Sequence, residues 1–206
     1  MTGPALSPAA AALCKMLDTA LADGHTVIPV AVAGSALGGV RLRLEDALRE
    51  AGPSGSGMVS APAPGLLGFR RVVDAEHAVA AAVRRLVDTG RLHVVAGQPG
   101  ATRDAAASAA GGAGAAVADD CEYLDIETIA MFFANCDDAE NVVLAGDLEG
   151  LGSPGAGRGF ADIADSELVD VVYSAPEPGA AGDVLASFAT ALAGGSFAPP
   201  DDPTHQ

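Results

Sequence analysis

Tryptophan is missing from this 206-residue chain and aromatic residues make up only 4% of it. A core must therefore be assembled mainly from Ala, Val and Leu, and few bases could stack on aromatic faces. Positive charge is scarce as well: 11 Lys and Arg stand against 27 Asp and Glu, for a formal charge of −16 and a pI near 4.3. That balance repels phosphate backbones, whereas non-specific DNA binding depends on many Lys or Arg contacts that release counterions. Autonomous nucleic-acid binding is expected to be weak or absent. The three cysteines, Cys14, Cys121 and Cys136, lie far apart with no C-x-x-C spacing and no paired His, so neither a disulfide framework nor a zinc site is indicated and buried, reduced thiols are expected. Long apolar runs are lacking too. The opening "MTGPALSPAAAALCKMLDTALADGH" has no basic segment, and its apolar positions are periodic rather than continuous, which fits neither a signal peptide nor a membrane span. The expected compartment is the cytoplasm, with no membrane partner.

What is present is apolar and periodic. Half of the residues are hydrophobic and mean hydropathy is +0.31, enough for the core of one domain, or of one domain with a small appendage. Ser7 before Pro8 is an N-cap followed by a first-turn proline, and Leu13, Met16, Leu17, Ala20 and Leu21 recur at helical spacing. The spacing predicts an amphipathic helix ending near Gly24. "TVIPVAV" (26–32) reads as a short strand, "RLRLEDALREAG" (41–52) as a helix with Leu44, Ala47, Leu48 and Ala51 on one face, and "GMVSAPAPGLLGF" (57–69) as extended turns. Residues 1–72 are thus expected to form a small helical, winged-helix-like module, although "AGPSGSG" (51–57) reads equally well as a plain flexible linker.

From Asp74 onward strands alternate with helices. A helix runs through Val79, Val83 and Leu86; the strands "LHVVA", "AAVA", "NVVLA" and "LVDVVY" are then separated by helices after Gly100, over "DIETIAMFFANC" and near Phe160. The alternation predicts an α/β fold over residues 73–194, a parallel sheet with helices on both faces. The tail 195–206, ending in "APPDDPTHQ", has no apolar periodicity and is expected to be disordered.

Ligands of open parallel sheets bind beyond the carboxyl ends of the strands, which singles out three loops. The first, G-Q-P-G-A-T-R-D (97–104), compares with the phosphate-loop pattern G-x-x-x-x-G-K-[ST], whose backbone N–H groups cradle phosphates while Lys reaches the β/γ oxygens and the hydroxyl holds Mg²⁺. Gly97, Pro99 and Gly100 fit a Gly-Pro-Gly variant; Arg103 takes the Lys place with a larger, planar cation, and Asp104 replaces the hydroxyl. A glycine turn capping a helix accounts for this loop equally well. The second loop, "AVADDCEYLD" (116–125), puts Asp119 and Asp120 at a strand end, where a nucleoside triphosphatase orders Mg²⁺ and polarises water; a solvated acidic turn is the plainer reading. The third, "NVVLAGDLEGLGSPGAGRGF" (141–160), is far more specific.

This third segment resembles motif III of the RecD-like superfamily 1 DNA helicases, roughly G-D-x-x-Q-L-P-S-V-G-x-G, in Gly146, Asp147, Leu151, Ser153, Gly155 and Gly157. "ADDCEYLD" is similar to the family's Walker B, V-D-E-A-x-x-L-D, in Asp119, Asp120, Leu124 and Asp125. Weaker likenesses link residues 21–52 to the helical module before the motor, "VVDAEHAVAAAVRRL" to the helix leading into it, and residues 171–200 to the entry to motif IV. The resemblance covers roughly residues 10–200 and implies a RecA-like P-loop motor domain. In it Gly97, Pro99, Gly100, Arg103, Asp104 and Asp147 would face ATP, Asp119 would hold Mg²⁺, and Asp120 would stand in the catalytic place.

Departures from that pattern bear directly on activity. The family's phosphate-loop Lys and Thr are Arg103 and Asp104, its catalytic Glu is Asp120, its γ-phosphate-sensing Gln is Gly150, and its motif IV Arg is Ser174; the adenine-reading Gln is missing, with His77 nearest to its place. The stretch between Arg103 and Asp119 is short where the family carries a DNA-contacting motif, and the chain stops where a second motor domain would begin. Together these changes remove most groups that distinguish a transition state from bound nucleotide. The resemblance therefore implies a degenerate motor-domain homologue: a non-hydrolysing P-loop scaffold or accessory protein linked to DNA metabolism, binding ATP with Mg²⁺ weakly if at all and inactive as a helicase by itself. Two other readings stand beside it: an ATP-binding switch or slow ATPase completed by a protein partner that supplies the second motor domain, and an acidic module that docks on a basic surface of a nucleic-acid enzyme. His25 and His93 read as ordinary turn and strand residues, and Arg84, Arg85 and Arg91 as a solvated helix end.

Overall fold

Ser7 opens the first helix as its sequence predicts: in the computed structural model, which describes residues 6–39 and 42–174, its Oγ accepts the Ala10 N–H at 3.3 Å and Pro8 begins helix α1 (Pro8–Ala22). The motif IV likeness past Ser174 and the expected tail lie outside the described residues. Helix α1 buries Leu13, Leu17 and Ala20 and ends where Gly24 turns at φ +85°, with the His25 N–H closing back on the Ala20 carbonyl at 2.8 Å.

The segment read as one strand, 26–32, divides in two. Val27–Pro29 is strand β1, and helix α2 (Val30–Gly39) starts directly after Pro29. Proline's fixed φ suits a helix start, and this helix buries only Ala33 and Leu37, one turn apart. Because it is apolar nearly all round, its sequence carries no clear period. Helix α3 (Leu44–Ala51) is shorter than expected but buries Ala47 and Ala51 of the anticipated face. The supposed extended turns are a hairpin, β2 (Val59–Ser60) and β3 (Leu66–Phe69), and the three strands form an antiparallel sheet in the order β1-β3-β2. These helices and strands share one apolar cluster.

Helix α4 (Arg70–Asp88) follows β3 without a loop, so the boundary expected after residue 72 falls inside its first turn. It buries Val72, Val73, Val79, Val83 and Leu86, a helical period. The second sheet has strands β4 (Leu92–Ala96), β5 (Ala116–Ala118), β6 (Val142–Gly146) and β7 (Val171–Tyr173), all neighbours parallel, in the order β5-β6-β4-β7. Strand β6 is buried along its whole length. Alternate residues of the sheet point to opposite faces. Val94, Val142 and Leu144 pack with α4, α6 (Ile126–Ala134) and α7 (Gly159–Asp165), while Val95, Val143 and Ala145 pack under α5 (Ala101–Gly111). The predicted parallel sheet with helices on both faces is what the chain forms.

The strand order creates the place for a site. The connection leaving β4 runs over one face through α5, those leaving β5 and β6 over the other, so the outgoing chains part between the adjacent strands β4 and β6. That is a topological switch point, where open α/β sheets form their binding crevice. Ala96 and Gly146 are register partners, so both strands end level at its floor. Among the described residues, no helix is long and apolar enough to cross a membrane.

Candidate functional site

Helix α5 enters the crevice with a charge on its apolar face. Arg103, Ala107 and Gly111, spaced by four, are its buried residues. Gly111 lets the far end lie close to the sheet, since a Cβ there would come 2.8 Å from Val143 Cγ2. The near end is thereby pressed inward and carries Arg103 to 1% exposure, where it is the largest fully buried side chain among the described residues.

A buried guanidinium must be paired, and the acidic loop after β5 pairs it. Asp120 adopts a left-handed backbone at φ +50°, a conformation tolerated by Asp more readily than by bulky residues. It turns the chain so that Asp119 and Asp120 both reach Arg103 Nη2, at 2.8 and 2.7 Å. The 3₁₀ turn Cys121–Tyr123 then drives Cys121 and Glu122 inward. Glu122 Oε2 accepts the Asp147 N–H at 3.0 Å, while Oε1 lies 3.9 Å from Arg103 Nη1. The side chains of Arg103 and Glu122 are 2% and 4% exposed, those of Asp119 and Asp120 about half. Arg103 Nε and Glu122 Oε1 are buried without a hydrogen-bond partner. Burial works against the Arg103 charge, yet the hydrogen bond to Asp120 and the charges of Asp119, Asp120 and Glu122 outweigh it and hold the guanidinium above its ordinary pKa.

The crevice thus joins four of the residues singled out from the sequence, Arg103, Asp119, Asp120 and Asp147, through Glu122, which sequence reasoning passed over. Its only sequence hint is the company of Cys121 and Leu124, residue types that favour burial. The loop residues fare differently. The Gly97 N–H is bonded to the Gly146 carbonyl at 2.9 Å and the Gly97 carbonyl lies 3.4 Å from Arg103 Nη1. Ser174 extends the β4–β7 ladder onto the Ala96 carbonyl at 2.8 Å and packs over Gly97, where a Cβ would meet its Oγ at 1.9 Å. Pro99 is exposed and has no N–H to offer, and Gly100 is the N-cap of α5. Asp104 is exposed and lines, with Asp119, a hollow between α5 and β5 rather than the crevice.

These residues do not fit ATP with Mg²⁺. The cation at the lysine position is buried and neutralised by the chain's own acids, and one of the loop's N–H donors is spent on β6. The chain's sole lysine, Lys15, is exposed on α1. Among the described residues no group of three or more His, Cys, Asp or Glu side chains is placed to hold a metal ion.

The loop 147–158 forms the opposite wall. Asp147 Oδ1 accepts the Glu149 N–H at 2.9 Å and Ser153 Oγ the Gly155 N–H at 3.0 Å. Gly155 packs on Asp125, which caps α6 by accepting the Thr128 N–H at 2.8 Å. The Gly157 N–H reaches the Gly24 carbonyl at 3.2 Å, and Leu151 is 99% exposed at the tip. Between this loop, the 3₁₀ turn and α7 lies a cavity of ≈ 330 Å³. The remaining polar residues have ordinary surroundings: His77 is exposed on α4, His93 Nε2 lies 3.4 Å from Asn141 Oδ1, Arg85 pairs with Asp137 at 2.7 Å, and Arg91 Nε holds the Glu140 carbonyl at 3.0 Å. No family model matches the chain, and no curated protein matches it.

Proposed function

We propose that the chain is a non-hydrolysing P-loop scaffold, a degenerate relative of the RecD-like helicase motor domain acting as an accessory protein in DNA metabolism. One observation carries the non-hydrolysing part: Arg103, at the position of the phosphate-binding lysine, is sealed beneath Asp119 and Asp120 and beside Glu122. Freeing a buried ion from its partners costs about 3–5 kcal/mol, whereas a ligand held at millimolar to micromolar strength returns about 4–8 kcal/mol. A nucleotide that had to extract Arg103 would lose most of its binding energy to that step, and it would still meet two carboxylates aimed at its phosphates.

The helicase kinship rests on the motif III and Walker B likenesses. It is supported by the way the three corresponding loops come side by side at the carboxyl edge of one parallel sheet. The winged-helix reading of the first unit is supported by its three helices and its three-stranded antiparallel sheet, with the β2–β3 hairpin in the place of a wing.

Calorimetric titration with ATP and Mg²⁺ tests the proposal. No heat of binding is expected up to millimolar ATP. Saturable binding at sub-millimolar Kd, lost in Asp119→Ala, would instead mean that the crevice is a nucleotide site awaiting a partner domain.

A further inference from the structure

The acids around the crevice are not balanced by their surroundings. Residues 73–174 hold five arginines against 18 acidic side chains. Arg103 is buried, Arg84 is exposed on α4, Arg85 and Arg91 are engaged at the far end of α4, and Arg158, on the rim of the neighbouring cavity, lies 3.7 Å from Asp165. Arg103 answers one of the three charges of Asp119, Asp120 and Glu122. Asp147 and Glu149 add two more, and among the described residues neither has a basic partner.

Beside these acids the ≈ 330 Å³ cavity is walled by Glu122 and Asp147 together with Leu148, Leu151 and Phe160. One further observation points to an occupant: Leu151, on the rim, is 99% exposed, a disposition that an apolar contact would relieve. A divalent cation is a poor fit, since the walls are largely apolar and no three-ligand group is present among the described residues. A nucleic acid is disfavoured by charge.

We propose that this cleft docks a basic segment of a partner protein and takes up one of its Arg or Lys side chains. Such side chains lay an apolar stem along hydrophobic surface and keep a charged head among polar groups. Here the stem runs past Leu148, Leu151 and Phe160 and the head meets the Asp147 carboxylate. The inference builds on the crevice being closed to nucleotide, and it names what the scaffold binds instead.

Fluorescence anisotropy with a fluorescein-labelled peptide of alternating Arg and Leu, at physiological salt, measures it. The full chain is expected to bind saturably, and Asp147→Asn with Glu149→Gln to weaken binding about tenfold or more. Leu151→Ser is expected to weaken it severalfold. Glu167→Gln with Asp170→Asn, which removes the same charge from exposed positions elsewhere, is expected to stay within about twofold. Thermal melts confirm that each variant folds. Equal weakening by the two double variants would reduce the effect to diffuse attraction and overturn the site. So would absence of saturable binding, an unaffected Leu151→Ser, or displacement of the peptide by Mg²⁺ at constant ionic strength, which would indicate a cation site. A separate ATP titration keeps the two readings apart: ATP binding alongside intact peptide binding would sink the closed-crevice reading and leave the docking site standing.

Discussion

Replacing Arg103 by Met tests the buried charge cluster directly, because methionine keeps much of the side-chain length while removing the cation. The cost falls mainly on Glu122. Asp119 and Asp120 are half-exposed and can turn to water, so losing their partner costs each little. Glu122 is 4% exposed, and its carboxylate would be left with the Asp147 N–H as its one bond. Removing one member of a buried pair costs about 3–5 kcal/mol; with two of the three acids at the surface, the low end, about 3 kcal/mol, is expected. In urea this would lower the unfolding midpoint by roughly 1–2 M if m is about 2 kcal/mol/M, and Tm by about 6–12 °C. Arg103→Met with Glu122→Gln should recover more than half of the loss, since a neutral amide still accepts the Asp147 N–H and leaves no uncompensated buried charge. A single-variant loss below about 1 kcal/mol, or a double variant no more stable than the single, would refute the account of Arg103 as an internal counter-ion.

Gly146→Ala would bring a methyl to 2.7 Å from Glu122 Oε2 and 2.8 Å from Phe160 Cε1, and should destabilise by about 1–3 kcal/mol in chemical denaturation; a neutral result would mean that the crevice floor is looser than its geometry. Burial pushes the Cys121 thiol up to about 12 from 9.0. Its protonated form therefore contributes stability that is complete below pH 9 and is lost as pH rises toward 12, so the advantage of wild type over Cys121→Ala should narrow between pH 8 and 10.5 in urea melts. With an aromatic disulfide reagent at pH 8, Cys121 should stay unmodified in the native protein and react only in denaturant. Asp125→Ala removes the cap of α6 and should cost about 1 kcal/mol, read from the shift in Tm.

The second sheet was legible in the sequence because each of its strands is a short apolar run between turn residues, and its helices carry a helical period. The first unit was less so. Helix α2 escaped notice because a segment apolar on all sides has no face to read, and the hairpin β2–β3 because Pro62, Pro64 and Gly65 between its strands read as irregular chain. At the crevice, sequence located Arg103, Asp119, Asp120 and Asp147 but could not say that Arg103 points inward. That depends on Gly111 and Ala107 pressing α5 onto the sheet, a tertiary effect. Glu122 looked like one more acid in an acidic run, and only the left-handed turn at Asp120 separates it from its exposed neighbours.

The strand order β5-β6-β4-β7 also governs how the chain must assemble. Neither β4 nor β5 has a neighbour among the strands made before it, and the two do not pair with each other: both wait for β6. On a ribosome adding about 5–20 residues per second, the valine-rich β4 spends several seconds without a partner until Val142–Gly146 emerges. No stepwise zipping from the amino end can build this sheet. Its formation is a late event with non-local pairing, slow by nature, and the interval before β6 arrives is when the nascent protein is most open to aggregation.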